Sequence, residues 1–164
     1  LESNLVVGTA LVDAYGKSGL VSEAQRAFDD LEEDANVVAW NAILSAYAQQ
    51  GQADRAVQMF EKMLSTGLKG DEFTFLAILT ACSNARLVSE TERWLTSMSA
   101  EHGISPGLEH YTCLVGAKAR VRQIEEAQRV ALAMPFEPDA AVWRTLLSAC
   151  VVHGEQGLGQ AAGR

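Results

Sequence analysis

Few groups in this 164-residue chain could carry acid–base, nucleophilic or metal chemistry. His153-Gly154-Glu155 satisfies the H-x-E half of the nucleobase-deaminase zinc site, in which a zinc-bound water attacks the base while the glutamate moves the proton. The other half, P-C-x-x-C, is missing, since the last cysteine is Cys150 and no C-x-x-C occurs anywhere. His102 and His110 are followed two residues on by Ile104 and Thr112, not by glutamate, and His110 and His153 have no candidate partner and are given no function. There is no G-x-x-x-x-G-K-[ST] phosphate loop and no G-x-S-x-G nucleophile elbow; Gly154, Gly157 and Gly159 form only a loose glycine-rich tail. The expectation is a segment that is not an enzyme and holds no metal and no cofactor. Cys82, Cys113 and Cys150 are too few and too odd in number for a disulfide framework, and they read as inert core thiols in small apolar helix slots.

Charge narrows the field further. Thirteen Lys and Arg stand against 21 Asp and Glu, a net charge of −8, which weighs against sequence-independent nucleic-acid binding. No apolar run approaches the roughly 20 residues of a membrane-spanning helix. Leu1-Glu2-Ser3 carries neither a basic stretch nor an apolar signal core, so any targeting segment is expected outside this sequence.

What must position the remaining polar groups is a repeat. Ala10-Leu11-Val12-Asp13-Ala14-Tyr15 recurs as Ala42-Ile43-Leu44-Ser45-Ala46-Tyr47 and as Ala77-Ile78-Leu79-Thr80-Ala81-Cys82. A fainter copy starts at Cys113 and a clear one at Thr145, giving steps of 32, 35, 36 and 32 residues. Each unit reads as two helices. Trp40, Ile43, Leu44 and Tyr47 fall on one helical face, Gly51 permits a turn, and Ala56, Met59, Phe60 and Met63 repeat the spacing. Gly67 fits a helix stop, and Asn36, Asp71 and Asp139 fit N-caps whose oxygens accept orphan backbone N–H groups. Trp40, Trp143, Tyr15, Tyr47 and Phe60 are assigned to the core, while Phe73 reads equally as core or as an exposed stacking face. One hairpin cannot bury its apolar face alone, so the predicted fold is all-α: a solenoid of stacked helical hairpins in a single domain. The pairs run over about 5–36, 37–71, 72–107 and 108–139, with a partial unit at 140–164.

Trp40, Ile43 and Tyr47 partly fit the tetratricopeptide pattern, but Leu44 and Val12 stand where its glycine belongs and the spacing is uneven. The sequence resembles more closely the pentatricopeptide repeat family, in its plant organellar subclass of alternating long and short repeats. Val37-Val38-Ala39-Trp40-Asn41-Ala42-Ile43-Leu44-Ser45-Ala46-Tyr47 is similar to its recurring first helix. Gly67-Leu68-Lys69-Gly70-Asp71 resembles its repeat ending, with Gly70 in place of the usual proline. Gly103 to Tyr111 and Met134 to Trp143 are close to its C-terminal phrases, and Leu147 to Gly154 resembles the start of its E extension.

That resemblance implies a right-handed superhelix that reads single-stranded RNA, one base per repeat through two or three side chains. Carried over, the base-edge pairs are Thr9/Asn36, Asn41/Asp71, Leu76/Gly107 and Thr112/Asp139, and the family code reads them as A, U, no clear choice and G. Val6, Val38 and Phe73 match its base-stacking positions, where Glu109 breaks the series. Lys17 and Arg120 match its phosphate contacts, and Gln49 and Asn84 do not. Other departures are Arg86 and Arg122 at usual glycine turns, Lys118 inside a helix pattern and Arg144 at a usually small position. The implied role is recognition of cytidine-to-uridine editing sites in a chloroplast or mitochondrion, with an accessory editing factor or a deaminase acting in trans. By pattern alone, Asn36, Asp71 and Asp139 need be no more than N-caps. Thr9, Asn41 and Thr112 need be no more than solvated helix positions, and Lys118, Arg120 and Arg122 a solvated basic face. The competing reading is a protein-binding scaffold, including a homodimer.

Overall fold

The structure, a computed structural model, describes residues 2–153. Among them lie nine α-helices and no strand: α1 Glu2–Lys17, α2 Val21–Asp29, α3 Val37–Gln49, α4 Ala53–Ser65, α5 Glu72–Asn84, α6 Val88–Ala100, α7 Leu108–Arg120, α8 Ile124–Ala133 and α9 Ala140–His153. A short 3-10 turn, Glu32–Asp34, precedes α3. The helices group into two compact units, Leu1–Ala85 and Arg86–Arg164.

Local chemistry sets the ends of these helices. The Asn36 side chain accepts the Ala39 N–H (3.0 Å), and Asp139 Oδ1 accepts the Val142 N–H (3.1 Å), so α3 and α9 begin on capped turns. Gly19, Gly51, Gly67 and Gly103 close helices at positive φ. The turns after α5 and α7 hold Arg86 (φ 63°) and Arg122 (φ 70°) in the same left-handed region, where a side chain is strained and glycine is not.

In the first unit α3 packs between α1 and α5, while α2 and α4 pack outside them. That placement explains the composition of the helices. α3 buries Ala39, Trp40, Ile43, Leu44, Ala46, Tyr47 and Ala48, more than one face, because it has helices on both sides. α4 buries only Ala53, Ala56, Phe60 and Met63 and keeps its charges outward. Outer helix meets the next inner helix through aromatic edges: Phe28 on Trp40 (centroids 4.6 Å apart) and Phe60 on Phe75 (5.4 Å). Each such fully buried side chain contributes roughly 1.5–3 kcal/mol. Tyr15 and Trp143, assigned to the core from their spacing, are only half-buried, and so is Cys113. Tyr15 lines a surface cleft between α1 and α2.

Close approach of α1 and α3 depends on one glycine. A Cβ at Gly16 would stand 2.8 Å from Ala46 Cβ and 3.2 Å from Ala46 Cα. Gly16→Ala is expected to cost about 1 kcal/mol net, as overpacking outweighs the gain in helix propensity. Urea unfolding checks this; unchanged or greater stability would mean that the two helices do not approach so closely.

The second unit builds its core from Val115, Ile124, Ala127, Met134, Val142 and Leu146, contributed by α7, the helix after it and α9. Lys118 belongs to that interior and not to a solvated basic face. It is buried, and its ammonium pairs with Glu92 (2.8 Å) on α6 and Glu126 (3.1 Å) on α8. Burial alone would lower its pKa; hydrogen bonds to Glu92 and Glu126, and their charges, outweigh that and raise it above 10.5. His110 also has a role that was not assigned to it: buried, it accepts the Gly107 N–H on Nδ1 (2.9 Å) at the start of α7. Its proton therefore sits on Nε2.

Candidate functional site

In the first unit the equivalent side chains of α1 and α3 converge on one cavity of about 410 Å³. Val6 and Val38 face it, 68% and 63% exposed, with no packing duty that would require an apolar residue there. Thr9 and Asn41, one helical turn on from each valine, also line it, and Asp13 and Ser45 complete the polar side. Two exposed apolar side chains thus stand beside two hydrogen-bonding groups at one open cavity.

Asn41 is held in one orientation. Its Nδ2 donates to Asp71 Oδ1 (3.0 Å), and its Oδ1 accepts from the Thr74 hydroxyl (2.6 Å). Asp71 Oδ1 also takes the Phe73 and Thr74 N–H groups (both 3.0 Å), while the Asp71 N–H donates to Thr74 Oγ1 (2.9 Å), a reciprocal capping box for α5. Burial pushes the Asp71 pKa up. The hydrogen bonds from the Thr74 N–H, the Asn41 amide, the Thr74 hydroxyl and the Phe73 N–H more than offset this and hold it below 3.8. These bonds leave the second Asn41 amide N–H and the second Asp71 carboxylate oxygen outside the capping network, a donor and an acceptor on a half-buried pair of which Asn41 lines the cavity. Thr74, fully buried, is the residue that sequence reasoning missed. The usual sequence signal of a capping box, Glu or Gln three residues after the N-cap, is absent here; only the fold reveals that the Thr74 hydroxyl fills that place.

The other expected site residues are placed less uniformly. Asn36 spends its Oδ1 on the α3 cap and keeps its amide N–H groups. Phe73 lies at the start of α5, 60% exposed and outside the core. Thr112 donates its hydroxyl to Leu108 O (2.8 Å), one turn back in its own helix, and retains only an acceptor for any ligand. Asp139 caps α9 and is exposed, and Leu76 and Gly107 are half-buried. Lys17 is exposed but paired with Asp13 (2.8 Å), which neutralises it locally. Arg120 lines a different cavity, in the second unit. Asn84, at the end of α5, donates to Ala48 O (2.9 Å) and closes the last turn of α3, a structural duty that asks for an amide and not for a cation. The Gly154–Glu155 portion of the H-x-E triplet, the glycine-rich tail and the end of the E-like phrase lie outside the described residues. No helix among the described residues is long and apolar enough to cross a membrane.

Against known proteins, residues 35–84 match the PPR repeat family and residues 9–34 match the PPR repeat. The whole chain is 40% identical, over 164 residues, to the chloroplastic pentatricopeptide repeat-containing protein CRR2 of Arabidopsis thaliana. It is 37% identical over 162 residues to a mitochondrial pentatricopeptide repeat-containing protein of the same plant. It spans 25% and 23% of their lengths. The solved structure of pentatricopeptide repeat protein PPR10, known from maize, in complex with an 18-nt psaJ RNA element gives a TM-score of 0.86 at 21% identity, over 96% of this chain and 24% of that one. The PPR domain of Arabidopsis thaliana protein-only RNase P 1 in complex with tRNA gives 0.71 at 18%, over 97% of this chain and 86% of that one. At such identities the likeness is one of fold, an all-α helical-repeat solenoid.

Proposed function

We propose that this chain, whose residues 9–34 and 35–84 match pentatricopeptide repeat models, is a pentatricopeptide repeat segment that binds single-stranded RNA, one base per repeat. The observation that carries this reading is the slot between α1 and α3, with Val6 and Val38 as its apolar faces and Thr9 and Asn41 at its edge. Asn41 and Asp71, already hydrogen-bonded to each other, offer a uracil edge the donor and acceptor it needs, with little side-chain ordering left to do on binding. Asn36 and Thr9 would read the preceding base, and Asp139 with the acceptor of Thr112 a later one. Within this reading the array serves as a marker of cytidine-to-uridine editing sites in a chloroplast or mitochondrion, and an accessory factor or a separate deaminase performs the chemistry.

Stacking supplies about 1–3 kcal/mol per base, so a short array binds weakly. With a net charge of −8 and Lys17 already paired, its salt dependence is shallow. A labelled oligonucleotide containing A-U-N-G is expected to bind more tightly than a scrambled one at low salt. Equal binding of the two, or none of either, would overturn the reading. Asn41→Thr is expected to move preference at its base from U toward G under the family code; an unchanged preference would mean that Asn41 merely faces solvent.

Two observations favour a second reading, a protein-binding scaffold: the Leu76/Gly107 unit has no polar side chain to offer a base, and the chain is acidic. Concentration-dependent self-association without RNA binding is the result that would select it.

A further inference from the structure

Both ends of the Asn41 amide are tied down, yet only one of its anchors, Asp71, belongs to the expected base-edge pair. The other is Thr74, fully buried on the first turn of α5. We propose that Thr74 is a positioning residue for base recognition: its hydroxyl fixes which edge of the Asn41 amide a base meets. The inference deepens the base-reading proposal above and rests on it.

The hydroxyl has a single proton to give. Its oxygen accepts the Asp71 N–H (2.9 Å) and lies 3.0 Å from Asp71 Oδ1 and 2.6 Å from Asn41 Oδ1. Asp71 Oδ1 already accepts the Phe73 and Thr74 N–H groups and the Asn41 amide, so the proton goes to the nearer and less occupied Asn41 Oδ1. The amide oxygen is thereby engaged, and Asn41 has an N–H donor left to offer beside the second carboxylate oxygen of Asp71. A uracil edge, a carbonyl next to an N–H, matches that order of groups. Without the hydroxyl, the half-buried amide oxygen lacks its donor and turns to donors on the ligand instead, so bases with other edges are accepted. Capping does not account for the contact. A capping box needs only an acceptor for the N-cap N–H, and the usual glutamate would supply one while giving Asn41 no proton.

The other units lack this device. Three residues after the caps Asn36 and Asp139 stand Ala39 and Val142, which have no hydrogen-bonding side chain. After Gly107 stands His110, whose Nδ1 accepts the Gly107 N–H. The Thr9/Asn36 pair thus has no hydroxyl at the equivalent place, and the base it reads serves as an internal control.

The test measures binding of the whole chain to two sets of single-stranded RNA oligonucleotides. One set varies the base read by Asn41 and Asp71, the other the base read by Thr9 and Asn36. Thr74→Val, which keeps the shape and removes the hydroxyl, is expected to reduce the preference for U at the first position about three- to tenfold. Preference at the second position should not change, and Thr74→Ser should keep both, a pattern that a general loss of stability would not produce. Proton exchange of the Asn41 side-chain amide, followed by NMR without RNA, gives a measurement that needs no variant to fold. In the wild type it should be slower than in exposed asparagines. Exchange as fast as theirs, or a U preference that survives in Thr74→Val, overturns this inference and leaves base reading standing. A wild type with no base preference at either position overturns base reading, and the role of Thr74 falls with it.

Discussion

Asp71→Ala is expected to destabilise the first unit by about 2–3 kcal/mol and to abolish any preference for U in the bound strand. About 1 kcal/mol is the ordinary loss of an N-cap, here that of α5. The rest comes from Asn41, whose Nδ2 loses its acceptor in a half-buried setting, and from the Thr74 N–H, which loses its partner. Asp71→Asn keeps an acceptor oxygen, so it should retain most of the cap while losing the charge. That difference has a pH signature. The native carboxyl of Asp71 is held below its ordinary 3.8, so its contribution to stability is fully present above that value and is lost as pH falls through the lower native pKa. The wild type should therefore lose stability below about pH 4 by an increment that Asp71→Asn lacks. Identical acid limbs in the two proteins would show that the charge of Asp71 is not held by these bonds.

Lys118→Ala is expected to cost about 2–3 kcal/mol in the second unit, roughly 4–12 °C in melting temperature for a chain of this size. Two losses combine: the buried four-carbon stem, and the cation that Glu92 and Glu126 share from opposite sides. Lys118→Met separates them. It restores the stem and leaves only the charge loss, about 1 kcal/mol, because both glutamates are half-exposed and can turn to water. The expected order of stability is wild type, Met, Ala; a methionine variant as stable as the wild type would mean the ion triad contributes nothing. The pH dependence has the opposite sign to that of Asp71. A lysine whose native pKa is raised contributes its stability below its unfolded value, near 10.5, and loses it as pH rises through the native pKa. An alkaline loss beginning at about pH 10.5 in the wild type and absent in Lys118→Met is the expected result.

The helices and their ends were legible in the sequence because the forces that set them are local. Helical spacing marked the inner helix at Trp40, Ile43, Leu44 and Tyr47, all of which are buried. Asn36, Asp71 and Asp139 announced N-caps, and each caps a helix in the structure. A repeat period is likewise a property of the chain alone; it was the family resemblance, however, that singled out Val6, Thr9, Val38 and Asn41, which line one cavity.

What required tertiary structure was every interaction between positions far apart in the chain. The amide of Asn41 meets Asp71 and Thr74 only because α3 and α5 lie side by side, 30 and 33 residues apart in sequence. Lys118 looked like one of three solvated cations until α6 and α8 each brought a glutamate to it. Tyr15 and Trp143 carried core spacing, yet their burial depends on which neighbour covers them, and spacing does not specify that. Arg120 of α7 and Arg144 of α9 share one cavity because those helices pack together, and Arg86 joins them from the turn after α5. Backbone propensity and periodicity act over a turn or two of helix, so they can be read from order alone. Partner choice among charged and amide side chains is decided by packing between helices, and that exists only once the chain has folded.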